Sequence, residues 1–448
     1  MNKYLKALVL SAVFCGNLFA QVVLKPHFTE QSKKIVVPKE AGIFPEIHEG
    51  MIVVGSYPRV YYVNTKGEYV FGSNFPFTRG NEFIHSAYFS GGAMMAWRTK
   101  PNEYSAKPFI IYPDGKYRDL ANDISNASSF VEGYALVHKG LSVIMGVRQI
   151  FIDKNGKEVF PALTSTHRGT VGDMTVYPLR EKRRVYFNAE LRKYGYADER
   201  GSIAIKPQYD KAENFSEGLA AVMIKENHTE KWGFINPAGK MVIPATYRLK
   251  PGRFSEGLAA VRIGESESSY EMAYIDKTGK RVMENKPWNL NEFNNGHAWV
   301  GTGCEKLFVM DKKFEEVRNL TEAFYHGGNG FGVCSFKMTS GHVHNLRWGF
   351  DFPGKTRALN QGGVEAGDIF APDGTIAFMA TDAKGNRVNL HNITEGGLMF
   401  AQVRFENEPR LKEKDVYLSV FINQKGEIVY YFEEGHEGYE GGKPVLLK

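Results

Sequence analysis

Phe215-Ser216-Glu217-Gly218-Leu219-Ala220-Ala221-Val222 returns as Phe254-Ser255-Glu256-Gly257-Leu258-Ala259-Ala260-Val261, 39 residues further on. Ahead of each copy, Gly195-Tyr196-Ala197-Asp198 is answered by Gly233-Phe234-Ile235-Asn236. A period of this size marks an array of supersecondary units, each covering its apolar faces with its neighbours. Weaker copies of the Glu-Gly-strand element begin at Glu49, Gly92, Glu132, Gly296, Gly330 and Glu395, so the array extends over most of the chain. Both faces of the strand after Glu-Gly are apolar, with Leu219, Ala221 and Met223 on one and Ala220, Val222 and Ile224 on the other. Such a strand belongs to a sheet covered on both sides. No segment after the N-terminal run shows a long apolar period of 3.6 residues, so the covering layers are expected to be other sheets.

A second element recurs with the first. Asp or Asn stands three places before Gly at Asn64/Gly67, Asp153/Gly156, Asp198/Gly201, Asn236/Gly239, Asp276/Gly279, Asp351/Gly354, Asp382/Gly385 and Asn423/Gly426. The side-chain oxygen accepts a backbone hydrogen bond from two residues on, and the glycine supplies positive φ, which together make a hairpin turn. Pro113-Asp114-Gly115 and Pro372-Asp373-Gly374 are variants, and Asp311-Lys312-Lys313-Phe314 lacks the glycine. The expected fold is all-β: short antiparallel sheets repeated as in a β-propeller, with an open β-solenoid as the alternative.

The 448 residues are 43% hydrophobic, 13% aromatic and 24% charged, with 47 Gly and 19 Pro, which excludes collagen-like and wholly disordered chains. Lys3 and Lys6 precede an apolar run too short to span a bilayer, and Ala20 precedes Gln21, so residues 1–20 are expected to be a cleaved secretory signal. Residues 21–48 are then an N-terminal extension and 49–448 the array, clearest over 190–285. Loss of two lysines takes 56 positive and 50 negative side chains to 54 and 50, too small an excess to argue for nucleic acid. Cys304 and Cys334 remain in an exported chain, where either a disulfide or two packed thiols is open.

Lys231-Trp232-Gly233-Phe234-Ile235-Asn236-Pro237-Ala238-Gly239-Lys240, with Ile243-Pro244 and Tyr247 behind it, resembles a WG-containing repeat protein of bacteria. Arg347-Trp348-Gly349-Phe350-Asp351 is a second Trp-Gly copy. Lys193-Tyr194-Gly195-Tyr196 replaces the tryptophan, and Glu271-Met272-Ala273-Tyr274 lacks both signature residues. The resemblance implies a β-rich repeat array and carries over no catalytic residue.

Trp232, Gly233, Trp348, Gly349, Gly218, Gly257, Gly239 and Gly279 are therefore expected to hold units together. Trp232 and Phe234 share a strand face, as an anchor between units or, if exposed, as a platform for sugar or peptide. No metal is expected. The Asp turns offer one carboxylate beside lysines where calcium needs six to eight oxygens. His342 and His344, with His326 upstream, fix too few zinc ligands by local spacing. Lys116, Lys157, Lys240, Lys280 and Lys355 follow turn glycines, as solvated tips or as a rim for an acidic partner. No nucleophile elbow, phosphate loop or His-Glu-x-x-His helix is present, no catalytic residue is singled out and no cofactor is expected. The functional expectation is an exported, non-enzymatic scaffold for a protein or envelope glycan. Its alternative is a glycan hydrolase using two carboxylates across a central channel.

Overall fold

The computed structural model describes residues 22–38, 43–56, 59–71, 89–98, 107–140, 146–167, 173–266, 269–302, 306–320, 337–339, 342–344, 369–370, 373, 375–388, 390–394, 396–440 and 443–447. The unit around Trp232 shows why each piece folds as it does. Lys211–Ala212, Ala220–Glu226, Thr229–Ile235 and Met241–Tyr247 pair in that order as an antiparallel meander. Glu217 and Gly218 both take positive φ, 54° and 85°, and close the first hairpin between Ser216 and Leu219. That is the twist a two-residue hairpin needs. Asn236 closes the last hairpin, its Oδ1 accepting from the N–H groups of Ala238 and Lys240 at 3.1 and 3.0 Å. The same pair of bonds, to the second and fourth residues on, forms at Asn64, Asp153, Asp198, Asp276, Asp311, Asp382 and Asn423. At Phe314, where the glycine is missing, φ is still 65°, and the ring lies stacked 5.9 Å from Tyr274.

The described strands form small sheets, of which those at 43–71, 94–119, 124–167, 184–209, 211–247, 258–276 and 289–319 are wholly antiparallel. Two six-stranded sheets complete the ring, and each takes in one parallel strand from the N-terminal segment. The two apolar faces of Ala220–Glu226 go to different neighbours. Leu219, Ala221 and Met223 join Trp232 and Phe234 against Ala259, Val261, Ala273 and Ile275 of the following unit. Ala220, Val222 and Ile235 pack on Val185, Tyr196 and Ile205 of the preceding one. Comparable shared cores lie at the other junctions described, from 43–63 with 89–111 round to 24–28 with 380–431. Arg318 Nε donates to the Asp373 carbonyl at 3.1 Å between the 289–319 sheet and the one containing 376–381. The fold is a β-propeller.

The trace differs from expectation in the N-terminal segment. Residues 21–48 were expected to precede the array as an extension, yet Val22–Leu24 and Lys33–Pro38 add strands to the last two sheets and Ile43–His48 begins the first. Pairing over nearly four hundred residues leaves no local repeat signature, which is why periodicity alone passes over it. Residues 1–20, expected to be a signal, and Cys304, Cys334, Trp348, Gly349, His326 and Lys355 lie outside the described residues.

Candidate binding face

Each unit is a meander, so its first and third connections lie at one end and its second connection, with the link to the next unit, at the other. The two ends differ. At the first end the turns are tight and joined from unit to unit. Glu217 accepts from the N–H of Gly257 at 2.9 Å and from that of Glu256, and Lys277 lies 3.1 Å from its carboxylate. Glu256 repeats this one unit on, with the Gly296 N–H at 3.0 Å and Lys312 at 2.9 Å. Glu49 reaches Gly92 N–H at 2.8 Å, Glu132 reaches Leu179 N–H at 2.9 Å and Glu181 reaches Gly218 N–H at 2.9 Å. The serine ahead of the glutamate also crosses the junction: Ser216 and Ser255 Oγ donate to the carbonyls of Phe254 and Phe293, both at 2.7 Å. Direct bonds between equivalent positions place these turns and first strands at the crowded inner edge of the ring. The phenylalanine of the same motif packs on an aromatic ring of the preceding unit, Phe215 on Tyr196, Phe254 on Phe234 and Phe293 on Tyr274, at 4.9 to 5.0 Å. Every side chain of Phe-Ser-Glu is thus engaged at a unit junction.

The role of the glutamates was not assigned from sequence. The signal for it was their recurrence at a turn position that ordinarily favours Gly or Asn. Lys277 and Lys312 were likewise missed, being next to the turn Asp rather than after the glycine. Of the lysines that were singled out, Lys116 is paired with Asp114 of its own turn at 2.8 Å, and Lys157, Lys240 and Lys280 are exposed.

Burial pushes the Glu217 and Glu256 carboxyls upward, but the backbone N–H groups and lysines facing them outweigh it and hold both below the ordinary 4.5. A carboxylate lowered in this way adds stability that is complete above its unfolded pKa and is lost as pH falls through the folded one. The melting temperature is therefore expected to be level above about pH 5.5 and to drop below about pH 4.5. The double variant Glu217→Gln, Glu256→Gln should start lower and fall less steeply. Parallel melting curves for the two proteins over that range would refute this assignment.

Trp232 is 3% exposed and Phe234 1%, both within the junction core. Between them Gly233 runs under a bulge: Trp232 pairs with Tyr247 and Phe234 with Ile243, so the fourth strand carries two extra residues across one glycine. A Cβ at 233 would lie 2.6 Å from the Ile243 carbonyl oxygen and 2.7 Å from Ala245 N. Gly195 sits under an equivalent bulge, 2.6 Å from the Ile205 oxygen by the same measure. Gly239 and Gly279 are turn glycines resting on Ile205 and Ile243 of the preceding unit. Gly218 and Gly257 have open space around them and positive φ.

At the opposite end the connections vary. The second hairpin is closed by Asn227 and His228 in one unit and by residues 407–414 in another. The segment after Glu158–Val159 carries the turn Pro161–Leu163, the strand Ser165–His167, which pairs back on Val147–Asp153, and, from residue 173 on, a polar site. There Asp173 Oδ2 accepts from the hydroxyls of Tyr177 and Tyr194 at 2.8 and 3.0 Å, and Oδ1 from Thr175 N–H at 2.9 Å. Burial first, then the Asp173 charge, pushes both phenols well above their ordinary value, so they remain donors. Mixed charges line this end as pairs: Lys193 with Asp210 at 2.7 Å and Arg404 with Asp415 at 2.8 Å. Tyr417 stands 71% exposed beneath the Arg404 guanidinium, 5.8 Å from its ring centre.

On the inner strands, the carboxylates Glu213 and Glu292 pair with Lys250 at 2.6 Å and Arg253 at 2.7 Å. His342 and His344 lie on one short strand, His342–His344. Among the described residues no group of three or more His, Cys, Asp or Glu could hold a metal, and no helix is long and apolar enough to cross a membrane.

Comparison with solved structures finds BamB from Moraxella catarrhalis at 8% identity, covering 69% of this chain and 96% of that one, with a TM-score of 0.36. A eukaryotic initiation factor matches at 10% identity over 90% of each chain, TM-score 0.43. One of two prolyl endopeptidases matches at 9% over 77% of this chain and 47% of its own, TM-score 0.32. No curated protein matches the chain. The two units with the clearest motif, residues 194–227 and 232–265, match the family described as WG containing repeat.

Proposed function

We propose that the chain is an exported, non-catalytic scaffold whose variable-loop end receives a partner protein. The observation that carries this reading is the difference between the two ends of the ring. One end is filled with tight turns whose glutamates and serines bind the next unit, while the other varies in length from unit to unit and presents paired charges and the exposed Tyr417 ring. Binding residues concentrate on loops held by a rigid frame. Alternating cations and anions beside an aromatic ring suit a folded protein surface of complementary pattern better than a ligand of one charge sign. Export follows from the expected signal at residues 1–20, and an envelope glycan is the other partner class the sequence reading named.

The test is site-specific photocrosslinking in the native cell. A crosslinker at Tyr417 is expected to capture a discrete partner, and one at Thr278, in a tight turn at the other end, is not. Capture from Thr278 alone, or equally from both sites, would reverse the assignment of the binding end.

A further inference from the structure

Residues 22–38 belong to no repeat unit, yet they are strands of two sheets. Val22–Leu24 runs parallel to Ile376–Thr381, and Lys33–Pro38 runs parallel to Ile428–Glu440. The pairings between named strands elsewhere among the described residues are antiparallel. The sheet that receives Lys33–Pro38 already has its four meander strands, Leu390–Ile393, Met399–Glu406, Asp415–Ile422 and Ile428–Glu440. The segment is therefore added to a finished edge, which is the geometry by which sheets recognise extended peptides: the backbone supplies affinity and alternate side chains supply selectivity.

The side chains fit that description. Ile35 and Val37 are buried in the core shared with the first sheet, while Lys33 and Lys34 are exposed and Lys34 Nζ lies 3.1 Å from Glu433. Between the two strands His27 exchanges backbone hydrogen bonds with Gly426 and Ile428 at 3.0 and 2.9 Å. Phe28 packs on Phe405 and Tyr431 with ring centres 5.1 and 5.0 Å away, Ser32 Oγ donates to the Ile428 carbonyl at 2.6 Å, and Arg410 donates to the Thr29 carbonyl. Tyr69 of the first sheet donates to the Val36 carbonyl at 2.6 Å. One segment thus bridges the last two sheets and the first.

We propose that the edge of Ile428–Glu440, with the adjoining Ile376–Thr381 strand, is a peptide-binding groove for residues 22–38, and that a second copy of this chain can supply the segment. The contacts are the same whichever copy provides it, so the choice rests on effective concentration. A short tether sets that near millimolar. Each ring closes on its own segment when dilute, and reciprocal exchange between copies follows refolding at high concentration.

A labelled peptide of residues 22–38 tests the groove. It should bind the full chain carrying Ile35→Asp and Val37→Asp at least about tenfold more tightly than the unsubstituted chain, whose own segment fills the groove. A peptide bearing the same two substitutions should not bind. Equal affinity for both chains, or equal binding by the substituted peptide, would overturn the proposal. Should the substituted chain fail to fold, a protease site placed within residues 39–42 of the full chain and cut after folding replaces it. The released segment should co-elute with the ring and exchange with labelled peptide, and a segment that departs at once or never exchanges argues against a reversible groove. For the second copy, differently tagged chains refolded together at high concentration should co-purify, whereas tags that always separate would remove that part.

Discussion

Replacing Gly233 with alanine is expected to destabilise the protein by about 3 kcal/mol in denaturant unfolding, a large effect for one methyl group. The new Cβ would lie within 2.8 Å of three backbone atoms of the bulge, in Ile243 and Ala245. Backbone in a paired strand cannot turn aside as the end of a flexible side chain would, so the bulge must shift and the Trp232–Tyr247 pairing must loosen with it. Gly257→Ala is the comparison. That glycine has open space around it but a φ of 88°, so alanine there meets only the left-handed penalty of about 1–2 kcal/mol. Equal losses at the two positions would show that close approach is not what requires glycine at 233.

Trp232→Ala should cost about 3–5 kcal/mol, the range for emptying a buried aromatic site. The ring lies among residues of two successive units, so the damage should appear across the junction, as faster amide hydrogen exchange in Ala259 to Val261 and Ala273 to Ile275. Exchange confined to the strand that bears the substitution would contradict this. Trp232→Tyr is expected to be milder, about 1–3 kcal/mol, since most of the apolar area survives. At the matching position Tyr194 has Asp173 as partner for its hydroxyl, supplied by the segment ahead of its own sheet.

Much of this arrangement can be followed from the residues themselves. The alternation of Leu219, Ala221 and Met223 with Ala220 and Val222 already divides the strand between two neighbours, because side chains in a strand alternate whatever the surroundings. The Asp and Asn turns are equally local: acceptor and donors lie within four residues of each other. The glutamate contacts are different. Glu217 and the Gly257 N–H are 40 positions apart, and nothing in a Ser-Glu-Gly turn states that its carboxylate will point forward instead of into water. The polar site at Asp173 arises where the repeat is interrupted, so the period that reveals the rest of the fold is silent there. Residues 22–38 show the extreme case: Ser32 and Ile428 are 396 positions apart, and their pairing depends on the ring having come round.

The forward reach of the turn glutamates gives the ring a direction. The unit of Glu256 offers a carboxylate to its successor and receives one, that of Glu217, from its predecessor, so both halves of the joint travel within a single stretch of about 40 residues. A gene segment of that length, duplicated in frame, would arrive with its own plug and its own socket. Growth of such a ring by copying needs no new interface to be invented, only a circumference willing to widen.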